Sequence, residues 1–118
     1  MADRRFYGRF KTGIRALMYY GELHREKNCE VANISENGIC FEVFDKDLIT
    51  ETIRTGDKID FQFVDDYVFF SLIKSVVVSG NCIVKHVDVR RDKIVIGCFL
   101  KSGEFEKYVQ DRKLAAIA

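Results

Sequence analysis

The chain has no tryptophan and no proline, only two methionines, and almost no net charge. Each shortage narrows the reading. Without Trp, and with ten Phe, the core must be built of benzyl groups and β-branched residues. Nineteen basic residues against eighteen acidic ones give a formal charge of +1. A nucleic-acid-binding domain usually carries a far larger basic excess, so any anion site here has to be local. No apolar run approaches the roughly 20 residues of a membrane span. The charged N-terminus shows no apolar stretch of about 7–15 residues such as a secretory signal needs, which leads us to expect a cytoplasmic protein. Cys29, Cys40, Cys82 and Cys98 are widely spaced, with no C-x-x-C and no Cys/His cluster. That spacing argues for reduced, buried thiols and against zinc or a disulfide framework.

What is present suits one domain of 118 residues with 47% hydrophobic content. Residues 14–20, 28–34, 38–44, 57–64 and 93–100 read as strands, and 67–89 reads as two more. Ile59, Phe61 and Phe63 alternate with Lys58, Asp60 and Gln62, the period of a half-buried strand. Gly80 and Asn81 suggest a bulge or bend, and Asp65-Asp66 a tight solvated turn rather than a paired-carboxylate catalyst. Residues 45–55 form a connection. Residues 102–117 read as a closing helix, with Ser102 as N-cap, Glu104 and Glu106 in the first turn, and Arg112 and Lys113 towards its C-terminal end. Phe105, Tyr108, Val109 and Ile117 make its apolar stripe. The expected fold class is all-β with one C-terminal helix. Six or seven antiparallel strands in so small a domain tend to close into a barrel, because closure removes exposed edges. The organisation is a single domain over 1–118, with a flexible arginine-rich arm over 1–11, the barrel over 14–100 and the helix over 102–117.

Two polar motifs stand out. The first is Arg4-Arg5-Phe6-Tyr7-Gly8-Arg9; the second is Asn33-Ile34-Ser35-Glu36-Asn37-Gly38, at a turn between two strands. An arginine fork is planar and permanently charged, and it can span O6 and N7 of guanine, stack on a purine or pair with a phosphate. An Asn/Ser/Gly turn offers short polar groups, and Gly38 can supply a positive φ or a close backbone approach. The same Asn and Ser also cap their own turns, so a structural role stands beside the binding one. His24 and His86 are isolated and read as structural or surface residues. No nucleophile elbow, P-loop or metal motif occurs, so no enzyme is expected.

Arg5…Arg9 followed by Asn33…Ser35…Gly38 resembles the PilZ domain family, whose signature is R-x-x-x-R and then [D/N]-x-S-x-x-G. The resemblance runs from about Arg4 to the C-terminal helix. It implies a PilZ-like barrel and a receptor for cyclic di-GMP, a bacterial second messenger of two guanosines closed into a ring by two phosphates. It assigns Arg5, Arg9, Asn33, Ser35 and Gly38 to the ligand. Arg4 is either a bystander charge or a third fork that holds a second stacked ligand. Many family members carry Asp where Asn33 stands; Asn keeps the carbonyl acceptor and loses the charge. The expected output is an arm that orders on binding and signals to an unidentified effector protein, in motility, biofilm or virulence. The alternatives are an adaptor of the same fold that binds no nucleotide, and a small barrel for single-stranded nucleic acid, which the near-neutral charge disfavours. No cofactor and no metal is implied.

Overall fold

The computed structural model describes residues 10–44, 53–100 and 105–117. Its strands are β1 (Phe10–Tyr20), β2 (Arg25–Ile34), β3 (Gly38–Val43), β4 (Lys58–Phe69), β5 (Leu72–Val89) and β6 (Ile94–Phe99). A helix, α1 (Glu106–Ile117), follows. The strands pair antiparallel in the ring β1-β2-β3-β6-β5-β4, which closes into a six-stranded barrel. The all-β class with one C-terminal helix is as the sequence leads one to expect, with six strands and not seven.

Alternation builds the core. Ile59, Phe61 and Phe63 of β4 are buried, as are Ile39, Phe41 and Val43 of β3. Phe41 lies 5.6 Å from Phe61 between ring centroids, Phe61 stacks on Phe63 at 6.1 Å, and Phe105 meets Phe61 at 5.7 Å. These rings carry the core out of the barrel towards α1. All four cysteines are free and buried, each on a strand. Burial first, then Cys98 and Glu30, pushes the Cys29 thiol up to about 12, and that thiol donates to the Ala16 carbonyl at 3.6 Å.

Several boundaries differ from the sequence reading. β1 already begins at Phe10, inside the expected arm, and β2 at Arg25. Asp65 and Asp66 do not form a turn: both lie within β4, paired with Val76 and Ser75 of β5. The turn comes at Phe70 and Ser71, both in the left-handed region at φ 47° and 65°. A two-residue hairpin with both central φ positive normally uses Asn or Gly, so Phe-Ser gives no local signal. Residues 67–89 are therefore the end of β4 and one long strand, not two strands. Gly80 marks no bulge, since the β4–β5 register runs unbroken past it. It clears space instead: a Cβ there would collide with the Phe105 ring. At Gly97 a Cβ would collide with the His86 ring. Ser102 and Glu104 lie outside the described residues.

The two glycines should respond differently. Phe105 is buried, so Gly80→Ala is expected to cost about 1–3 kcal/mol by overpacking. His86 is exposed and its ring can swing away, so Gly97→Ala should stay within about 0.5 kcal/mol. Urea unfolding of both variants checks this. The raised Cys29 thiol sets an alkaline limit. Its contribution to stability is complete below the ordinary thiol value of 9.0 and is lost as pH rises towards about 12, because the unfolded chain gives up the proton first. Across that window the parent should lose stability more steeply than Cys29→Ala, by up to ~1.4 kcal/mol per pH unit.

Candidate functional site

The second motif sits at one mouth of the barrel. Asn33 and Ile34 end β2, and Gly38 opens β3. The turn closes through Ser35 N–H donating to the Gly38 carbonyl at 2.8 Å. The Ser35 hydroxyl donates to Asn37 Oδ1 at 3.0 Å, and Ser35 is buried. Its side chain thus serves its own turn. Gly38 is not among the described glycines of positive φ, which are Gly13, Gly21 and Gly56. It takes ordinary strand geometry opposite Phe99, so the expected left-handed role is corrected.

A β-bulge aims Asn33. The β2–β3 register shifts between Val31 and Asn33. Val31 and Ile34 are three residues apart yet both fully buried, which an unbroken period of two would forbid. The extra residue lets both face the core while Asn33 stays on the half-buried outer side. There the register builds a row across five strands: Lys11 pairs with Asn33, Asn33 with Cys40, Cys40 with Gly97, and Gly97 with His86. One step towards the mouth, Gly38 lies beside the partly exposed Phe99. Next to Asn33 there is therefore a floor of small, buried residues (Gly38, Cys40, Gly97), with the His86 ring lying over Gly97 and Phe99 beside Gly38.

The first motif, Arg4, Arg5 and Arg9, lies outside the described residues. The strand that continues from it does not. Phe10 pairs with Ile34 and Lys11 with Asn33, so the chain leaving the arginine run passes directly beside the second motif.

Two ion pairs hold α1 against this mouth. Lys113 Nζ donates to Glu36 Oε1 at 2.9 Å, tying the helix to the motif's own turn. Arg112 Nε and the Tyr108 hydroxyl both donate to Asp65 Oδ2 at 2.8 Å. Asp65 is 2% exposed. The Arg112 guanidinium also lies over the Tyr67 ring at 5.1 Å. Burial, then the hydrogen bond to Asp65, pushes the Tyr108 phenol upward. Arg112 and Lys113 thus act as cross-links rather than as charges on the last helical turn. His24 lies far from the motif, in the β1–β2 turn 3.6 Å from Asp60. Among the described residues no group of His, Cys, Asp or Glu could hold a metal, and no helix is long and apolar enough to cross a membrane.

No family model and no curated protein matches the chain. Among solved structures it is similar to the inhibitor of motility MotI/DgrA of Bacillus subtilis, with a TM-score of 0.62 and 16% sequence identity. The match covers 92% of this chain and 49% of that one. This chain thus spans about half the length of that protein, and the likeness is one of fold.

Adjacent carboxylates on one strand should behave in opposite ways. Asp65→Ala is expected to cost about 2–4 kcal/mol, because Tyr108 and Arg112 lose a shared buried acceptor; the partial exposure of Arg112 keeps the figure below that of a fully buried pair. Asp66→Ala, on the exposed face, should stay within about 0.5 kcal/mol. Chemical denaturation of the two single variants measures the contrast.

Proposed function

We propose that this chain is a cyclic di-GMP receptor of the PilZ type, which changes conformation on binding and signals to a protein partner. The observation that carries the reading is the pairing of Lys11 with Asn33. It brings the strand continuing from Arg4, Arg5 and Arg9 alongside Asn33, Ser35 and Gly38, two motifs more than twenty positions apart in the sequence. Arg9 directly precedes Phe10 in the sequence, and the reading assigns its fork to the ligand. A guanine over that floor meets Asn33 as a hydrogen-bonding group and forks that can reach O6 and N7. The phosphates meet the same guanidinium groups as counter-charges. The near-neutral surface favours a compact anion over a polyanion. Neither motif supplies a nucleophile or a general base, so the reading is of a receptor and not of an enzyme. MotI/DgrA is named an inhibitor of motility, and an output in motility fits this reading; biofilm and virulence outputs fit the resemblance equally.

One observation favours the second reading, an adaptor of the same fold that binds no nucleotide. The Ser35 hydroxyl is buried and already engaged with Asn37, which is what a purely structural turn requires.

Calorimetry separates the two. Cyclic di-GMP should bind far more tightly than GMP, since only the dinucleotide offers two guanines and two phosphates together. Arg5→Ala and Arg9→Ala should each weaken binding by about 2–5 kcal/mol if their paired charges are buried in the complex. If Arg4 holds a second stacked ligand, the parent takes two per chain and Arg4→Leu takes one. One ligand in both makes Arg4 a bystander. No heat with cyclic di-GMP at any concentration leaves the adaptor.

A further inference from the structure

The β4–β5 hairpin outruns the barrel. β1 pairs with β4 only from Tyr19↔Asp60 to Ala16↔Phe63, whereas β4 and β5 stay paired out to Phe69↔Leu72. The overhang is a two-stranded ribbon of about 20 Å beyond Phe63. Its two faces are unlike. Asp65 and Tyr67 on one face are buried, and α1 covers them through Tyr108 and Arg112. The other face carries two aliphatic cross-strand pairs, Val64↔Val77 and Val68↔Ile73, with Asp66↔Ser75 between them. These four aliphatic side chains are 50%, 71%, 59% and 85% exposed. At the tip Phe70 is also exposed, and in the left-handed region. A bulky residue there is strained, and its ring meets that of the neighbouring Phe69 edge-on at 4.5 Å between centroids. The exposed aliphatic face runs against what the isolated fold needs.

We infer that this outer face is the docking surface for an amphipathic helix of a partner protein, one that presents aliphatic side chains around a single Lys or Arg. The residue that selects this occupant is Asp66. It stands between the two aliphatic pairs, while Arg15 of β1 borders only the Val64–Val77 end, and a helix carrying one cation in its apolar stripe satisfies Asp66 on burial. A second copy packed face to face by a two-fold axis brings Asp66 against its own counterpart, and like charges in apolar surroundings are strongly unfavourable. Insertion of Val64 and Val68 into a lipid surface would carry the ionised Asp66 carboxylate towards the hydrocarbon, which is costly. A helix is the fitting element because the ribbon's other face is already covered by one, and sheets are completed by layers. The inference does not depend on nucleotide binding.

The test uses the full chain and two synthetic helical peptides of about 14 residues, long enough to span the overhang. Each carries one leucine stripe, with a central Lys in one peptide and a central Glu in the other. Methyl NMR follows Val64, Val68, Ile73 and Val77. The Lys peptide should shift these methyls and bind about tenfold more tightly than the Glu peptide. Asp66→Lys should reverse the preference, and Ile73→Ser should abolish binding of both. A chain that binds neither peptide, or both equally, overturns the proposal. So does a dimer in sedimentation velocity that Ile73→Ser dissociates, which assigns the face to a second copy. Co-sedimentation with phosphatidylserine vesicles, lost in Ile73→Ser, assigns it to lipid. Movement of the same methyls on deleting residues 1–9 assigns it to the chain's own N-terminal segment.

Discussion

One buried oxygen organises this molecule. Oδ2 of Asp65 accepts from both Tyr108 and Arg112 at 2.8 Å. A buried carboxylate is costly unless it is paired and hydrogen-bonded. Meeting that need dictates where α1 lies, and the position of α1 dictates much else. It places Phe105 and Tyr108 on the Phe61–Phe63 stack, closes the aromatic core, and brings Lys113 over Glu36. The inward charge on an overhanging strand also blunts an edge that would otherwise invite pairing with another chain. A purely apolar contact could bury as much area, but it would fix the rotation of the helix less sharply.

The mouth is thereby wired from both sides. The Asn33–Gly38 turn is held by its own hydrogen bonds, by the Leu100 N–H donating to the Asn37 carbonyl at 3.0 Å, and by Lys113. The bulge before Asn33 adds the geometric element. Without it, the pleat that buries Val31 would turn Ile34 outward. The β1–β2 register sets Lys11 beside Asn33, and the small residues Cys40 and Gly97 of β3 and β6 continue that row, with Gly38 one step towards the mouth.

Much of this was legible in the sequence, and the failures have physical causes. The alternation at Ile59–Phe63 and at Ile39–Val43 reads directly, because a period of two is a local property. The Asn/Ser/Gly turn reads for the same reason. Asp65-Asp66 misleads because adjacent carboxylates usually mark solvent, while the groups that satisfy Asp65 lie more than forty positions later. The Phe70-Ser71 turn is hidden because its residues lack turn chemistry. Gly80 resembles a bend, yet its missing side chain is matched to Phe105, a pairing visible only in three dimensions. His86 appears isolated in the chain, and only the register lays it over Gly97. The arginine motif is plain in the sequence, but Arg4, Arg5 and Arg9 lie outside the described residues.

Ring closure also bears on how the chain reaches this state. Four of the six strand pairings join strands consecutive in the sequence, and the β4–β5 hairpin is fully local. The other two are non-local: β1–β4 joins Ala16 to Phe63, and β3–β6 joins Gly38 to Phe99 across a still longer stretch of chain. Loop-closure entropy has to be met before those contacts repay it. The long hairpin should consequently form early as a nucleus, with the β1–β4 and β3–β6 pairings locking on late, and the folding rate should belong to the slow class of barrels on the order of milliseconds to seconds. The overhang that leaves an apolar face in solution is, on this view, also the part of the protein that is assembled first.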